Sequence, residues 1–157
     1  MNGIKLMKLL YLVDREAILR WGRPVTTDCF VAMGHGPVLS RIYALVAEGE
    51  DPRAAPSAWS TAITRLRDGD VGLGDGLDRR HLSKAESDLL DEIFREHGAK
   101  SQWDLADLAR SLPEWRDPQG SAVPMEIQDI LAAAGSAGTP RPEPEDELQG
   151  LCLNGFW

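Results

Sequence analysis

Residues 4–21 read IKLMKLLYLVDREAILRW, and plotted at 100° per residue their apolar positions gather into one broad arc. Leu6, Leu9, Leu10, Val13, Ala17, Ile18 and Trp21 fill that arc, while Lys5, Lys8, Arg15, Glu16 and Arg20 share the opposite side. The spacing predicts a central, mostly buried helix, with Gly22 as its C-cap. Leu12 and Leu19 interrupt the basic side, which together with Arg15 makes a mixed strip and a candidate partner surface. Asp14 breaks the other face. It falls among Met7, Leu10, Ile18 and Trp21, and a carboxylate buried there requires a partner. Arg23, Arg41, Tyr43, His35 and the backbone amides of residues 34–37 are the candidates, so Asp14 and Arg23 are expected as a structural buried charge.

Working outward, Arg23-Pro24 restarts the chain in extended form, and Cys29-Phe30-Val31-Ala32-Met33 reads as a short strand. Gly34-His35-Gly36-Pro37 ends that strand, and Pro37 suits the first turn of a helix carrying Val38, Leu39, Ile42, Tyr43, Leu45 and Val46, closed by Gly49. Trp59, Ala62, Ile63 and Leu66 predict a short amphipathic helix. Residues 68–80, with glycine at 69, 72, 74 and 76 between Val71, Leu73 and Leu77, predict a hairpin. Ser83-Lys84-Ala85-Glu86 is a capping box that opens a helix through Leu89, Leu90, Ile93 and Phe94. His97-Gly98 closes it, and Ser101-Gln102-Trp103-Asp104 caps the next helix, which runs through Leu105, Leu108, Ala109 and Leu112 to Pro113. Pro124 leads into a last helix through Ile127, Ile130, Leu131 and Ala134, stopped by Gly135. The fold class expected is mainly α (α+β): a compact helical domain over residues 1–134 with a small antiparallel sheet or hairpin. Residues 135–147 have linker composition. The apolar tip after them, LCLNGFW over 151–157, either docks on the domain or is offered to another protein.

The whole chain has 157 residues, of which 43% are hydrophobic and 27% charged, a globular composition near the usual size of one domain. No apolar stretch approaches the roughly 20 residues of a membrane span, and the N-terminal region has no signal-peptide layout, so a cytoplasmic location is expected. Cys29 and Cys152 are expected as reduced thiols. Three scattered histidines show no zinc spacing, and Asp68, Asp70, Asp75 and Asp78 miss a calcium loop because Gly72 and Arg79 stand where ligands belong. No metal and no cofactor is expected. His35 beside Cys29 or Ser40 is the one candidate for a catalytic base, yet no nucleophile elbow accompanies it and shaping the loop is the simpler role. The net charge of -8 argues against direct nucleic-acid binding. Its distribution is uneven. Residues 1–67 hold 9 basic and 6 acidic side chains, a net of +3, and residues 68–157 hold 8 and 19, a net of -11.

The run Lys5-Leu6-Met7-Lys8-Leu9-Leu10-Tyr11-Leu12-Val13-Asp14-Arg15-Glu16 resembles the Panacea domain of the SocA-like antitoxin family. Gly22-Arg23-Pro24, Phe30-Val31-Ala32-Met33, His35-Gly36-Pro37-Val38 and Ser40-Arg41-Ile42-Tyr43 continue the likeness. Trp103-Asp104-Leu105, Leu112-Pro113-Glu114-Trp115 and Ile130-Leu131 extend it through about residues 4–134. The resemblance implies a bacterial or phage antitoxin, not an enzyme, whose partner is the cognate toxin encoded by a neighbouring gene, neutralised through direct protein contact. It also implies an alternative, an adaptor that delivers the toxin to a Clp-type protease. Leu12, Arg15, Leu19, His35 and Arg41 are the expected partner-binding residues. Two departures stand out. Many relatives carry a further stretch ahead of the Lys-Leu-x-Lys-Leu-Leu-Tyr run, and a Thr-His pair where this chain has Ala109-Arg110.

Overall fold

The computed structural model describes residues 1–47, 57–74 and 81–135. Its centre is α1 (Gly3–Trp21). The Asn2 side chain accepts from the Ile4 amide at 2.9 Å to open this helix, and Gly22 closes it in the left-handed region at φ 73, its N–H donating to Ile18 O at 2.8 Å. Around α1 follow β1 (Phe30–Ala32), β2 (Val38–Leu39), α2 (Ser40–Ala47), α3 (Ala58–Ala62), β3 (Ile63–Arg65) and β4 (Val71–Leu73). Then come α4 (Lys84–His97), α5 (Gln102–Arg110), β5 (Val123–Met125) and α6 (Ile127–Ala133). The expected mainly helical α+β domain with small antiparallel sheets is what forms.

α1 is buried on two sides rather than one. Leu9, Leu12, Val13 and Ala17 pack with Leu89 and Ile93 of α4 and Leu105 of α5. Tyr11 and Ile18 pack on the other flank with Phe30 and Ala32 of β1, Leu39 of β2, Met125 of β5 and Ile130 of α6. Leu12 is therefore a core residue and Leu19 is partly buried against the second cluster, which removes the exposed strip expected on this helix. A helix with apolar neighbours on both flanks leaves solvent little of its circumference.

The larger sheet has the order β2-β1-β5, antiparallel throughout, with Phe30 opposite both Leu39 and Met125. Two expectations change here. Val38 and Leu39 form a strand instead of the first turn of a helix, because β1 offers them a ladder and both side chains enter the core. Pro124 lies within β5, an outer strand, where a residue without an N–H leaves no central ladder bond unmade. α2 then begins at Ser40 under a distant cap. The Asp28 carboxylate accepts from the Arg41 and Ile42 amides at 2.9 and 3.0 Å and from the Ser40 hydroxyl at 3.3 Å.

A separate hairpin joins β3 to β4, with Ile63 opposite Leu73. The helix expected through Leu66 thus stops at Ala62, and Leu66 is exposed beside the turn. Asp68, at φ 59, takes a left-handed conformation in that turn, which aspartate tolerates better than most residues. Main-chain bonds between Met1 and Val71 at 2.8 and 2.9 Å tie the hairpin to the start of α1. Gly49, the expected hairpin arm at Leu77, Asp75 and Asp78 of the rejected calcium loop, and the tail with Cys152 lie outside the described residues. Cys29 is not a free thiol, contrary to the expectation.

Candidate partner-binding surface

The polar side of α1 faces inward and holds other elements in place. Lys5 Nζ donates to Gly98 O at 2.5 Å, at the end of α4. One turn on, Lys8 is 1% exposed and its Nζ donates to the carbonyls of Gly36 and Pro37, both at 2.9 Å. Burial, reinforced by the nearby charge of Arg110, lowers the Lys8 pKa to about 8. Tyr11 and Arg15 share a third anchor. The Tyr11 hydroxyl donates to Glu114 Oε1 at 3.0 Å, and Arg15 Nε donates to the same oxygen at 2.6 Å. Burial first, and the Glu114 charge second, push the Tyr11 phenol well above its ordinary range. With its side chain only 16% exposed, Arg15 belongs to this internal pair and not to an open partner strip.

Asp14 is fully buried, and its partners differ from those expected. Oδ1 accepts the amides of Val25 and Thr26 at 2.8 Å each, and Oδ2 accepts the Thr26 hydroxyl. Burial outweighs these three bonds and raises its pKa to about 6, with the Asp28 charge adding to the rise. Arg23 is no part of a buried charge. Its side chain is 53% exposed and its guanidinium pairs with Glu86 at 3.1 Å, because the chain reverses at Gly22 and carries the side chain out toward α4.

Residues 33–37 are consequently clamped. Met33 O accepts from Gly36 N at 2.9 Å and from Trp115 Nε1 at 3.0 Å, while Lys8 holds the next two carbonyls. Gly36 sits at φ 93, and a Cβ there would lie 3.0 Å from Ala109 Cβ and 3.3 Å from Lys8 Nζ. The Ala109-Arg110 pair thus stands directly against this loop. His35, between the glycines, is exposed, and its ring meets Trp103 edge-on at 6.3 Å. Trp103 is 58% exposed in the first turn of α5. The histidine proposed as a base therefore faces an indole, while the Ser40 hydroxyl donates to Asp28. Of the five expected partner residues, His35 and Arg41 lie on the surface; Leu12, Arg15 and Leu19 serve packing or internal pairing.

Sequence reasoning missed Lys8, Glu114 and Trp103. A Tyr and an Arg four residues apart share one helix face and together call for a carboxylate, which is the signal that points to Glu114. Among the described residues, no group of three His, Cys, Asp or Glu side chains is placed to hold a metal, and no helix is long and apolar enough to cross a membrane.

Residues 6–116 match the family model described as antitoxin SocA-like, Panacea domain. The chain belongs to this family. The match takes in most of α1 and all of α2 to α5, with the anchors of the Panacea domain described above from Lys8 to Glu114 and Trp115; Lys5 lies just ahead of it. It stops short of β5 and α6, yet β5 pairs with β1 and Ile130 is fully buried, so the packed core continues beyond the matched segment. Neither a curated protein nor a solved structure matches the chain.

Proposed function

We propose that this Panacea-domain protein neutralises a toxin by binding it directly, without catalysis of its own. The observation that carries the reading is the family match over residues 6–116, whose description is that of an antitoxin. The geometry supports it. Polar side chains of α1 hold a surface loop, the end of α4 and the segment after α5 in fixed positions, an arrangement suited to presenting a preformed face to another protein. The acidic excess after residue 67 favours a basic toxin, whose approach such a charge would accelerate.

Co-expression tests the reading. The product of the neighbouring open reading frame is expected to arrest growth when produced alone and to be harmless when this chain is present. The two proteins are expected to co-purify, with an association rate that falls as salt is raised. Growth arrest that persists in the presence of stably folded chain would overturn the proposal.

A further inference from the structure

We infer that the docking site for this partner is the α4–α5 corner, where exposed Phe94 at the end of α4 and the Trp103–His35 ring pair at the start of α5 stand on helices that carry exposed carboxylates, and that it receives a basic segment bearing Arg or Lys side chains. The inference rests on the direct-binding reading above and adds to it a place and a chemistry. Phe94, in the last turn of α4, is 55% exposed and Trp103 is 58% exposed, large apolar areas in a molecule whose Phe30 is 4% exposed. Only residues 98–101 separate the two helices.

The corner is built to hold its shape. The Phe94 ring lies over Gly98, where a Cβ would come within 3.1 Å of two ring carbons, and Lys5 holds the Gly98 carbonyl from beneath. Trp103 is steadied by His35, whose loop is clamped by Lys8 and Trp115. Aromatic side chains fixed in advance lose little freedom on binding.

The charges select the occupant. Residues 88–107 carry six acidic side chains and two basic ones, Arg95 and Lys100. Lys84, Arg20 and Arg110 neutralise Asp88, Glu92 and Asp107. Asp91 has no partner among the described residues and stands one turn before Phe94 on the same helix face. Glu96 is 65% exposed, with only a 3.4 Å approach from His97. Exposed aromatic rings on helices that also carry unpaired carboxylates suit a cation, which a ring face attracts and a carboxylate pairs.

The full chain and the purified product of the neighbouring open reading frame provide the test. A Phe94→Ala/Trp103→Ala variant is expected to keep its melting temperature and to bind about tenfold or more weakly. Asp91→Lys is expected to slow association several-fold and to flatten its salt dependence. Asp91→Lys also covers the case in which the double variant loses stability, since that side chain supports nothing in the fold. Wild-type affinity in the folded double variant, or an unchanged association rate for Asp91→Lys, overturns the placement while leaving direct binding intact. A wild-type chain that fails to bind overturns both.

Discussion

Lys8 lies under the loop of residues 34–37 with two carbonyl acceptors and no carboxylate among the described residues. Its pKa of about 8, against 10.5 for a free lysine, corresponds to about 3 kcal/mol of unfavourable burial of the charge at neutral pH. The sign follows from proton counting. Between about pH 8 and about pH 10.5 the unfolded chain holds the proton and the folded chain releases it, so this lysine's cost fades as pH rises. Denaturant melts of wild type and Lys8→Met across that window are expected to show the wild type gaining stability relative to the variant. A constant difference would show that Lys8 is solvated. Asp14 behaves in the opposite sense. With its folded pKa raised to about 6, the wild type is expected to gain on Asp14→Asn as pH falls from about 6 to about 4, because protonation removes the cost of the buried charge. Glu114 is the acceptor for both Tyr11 and Arg15, so Glu114→Ala leaves a buried hydroxyl and a mostly buried guanidinium without it. That loss is expected to destabilise the fold by about 3 kcal/mol, seen as a lower urea midpoint.

At the scale of elements, what was legible was what is local. The Ser83–Glu86 and Ser101–Asp104 caps and the Gly22 C-cap each involve residues within a few positions, and all form. What depends on distant partners was not. Val38 and Leu39 read equally as the start of an apolar helix, and only Phe30 and Val31 across the ladder make them a strand. Pro124 hides β5 for the same reason, since an outer strand accepts a residue that a pattern reading treats as a breaker. The side of α1 that looked solvent-facing was misjudged because Lys5, Lys8 and Arg15 find acceptors 93, 28 and 99 residues away. The candidate site shared this difficulty. His35 was visible from its glycine neighbours, whereas Trp103 became its companion only once α5 packed under the loop. α2 gives a direct test of long-range capping. It has eight residues, and the first two amides after Ser40 are held by Asp28. Asp28→Ala is expected to cost about 1–2 kcal/mol and to raise amide exchange at Arg41 and Ile42 first. Uniform protection along α2 in the variant would argue against the cap.

Across the whole molecule, the uneven charge now has a structural meaning. The basic excess of residues 1–67 is largely paired within the fold, with Lys5, Lys8 and Arg15 bound to internal carbonyls or a carboxylate and Arg20 and Arg23 in surface ion pairs. Much of the acidic excess of the second half stays outward, on the exposed sides of α4 and α5. A surface so divided favours direct capture of a basic protein, and the described members of both hydrophobic clusters and of the α4–α5 corner lie within residues 1–135. Deleting residues 136–157 separates capture from delivery. If neutralisation is stoichiometric binding by the domain, the shortened chain is expected to bind the neighbouring gene's product with wild-type affinity and protect growth as before. If the tail instead hands the toxin to a protease, binding persists while protection is lost and toxin accumulates. Affinity and protection fall together only when the corner itself is damaged, so comparing the deletion with Phe94→Ala/Trp103→Ala assigns the two roles to different parts of the chain.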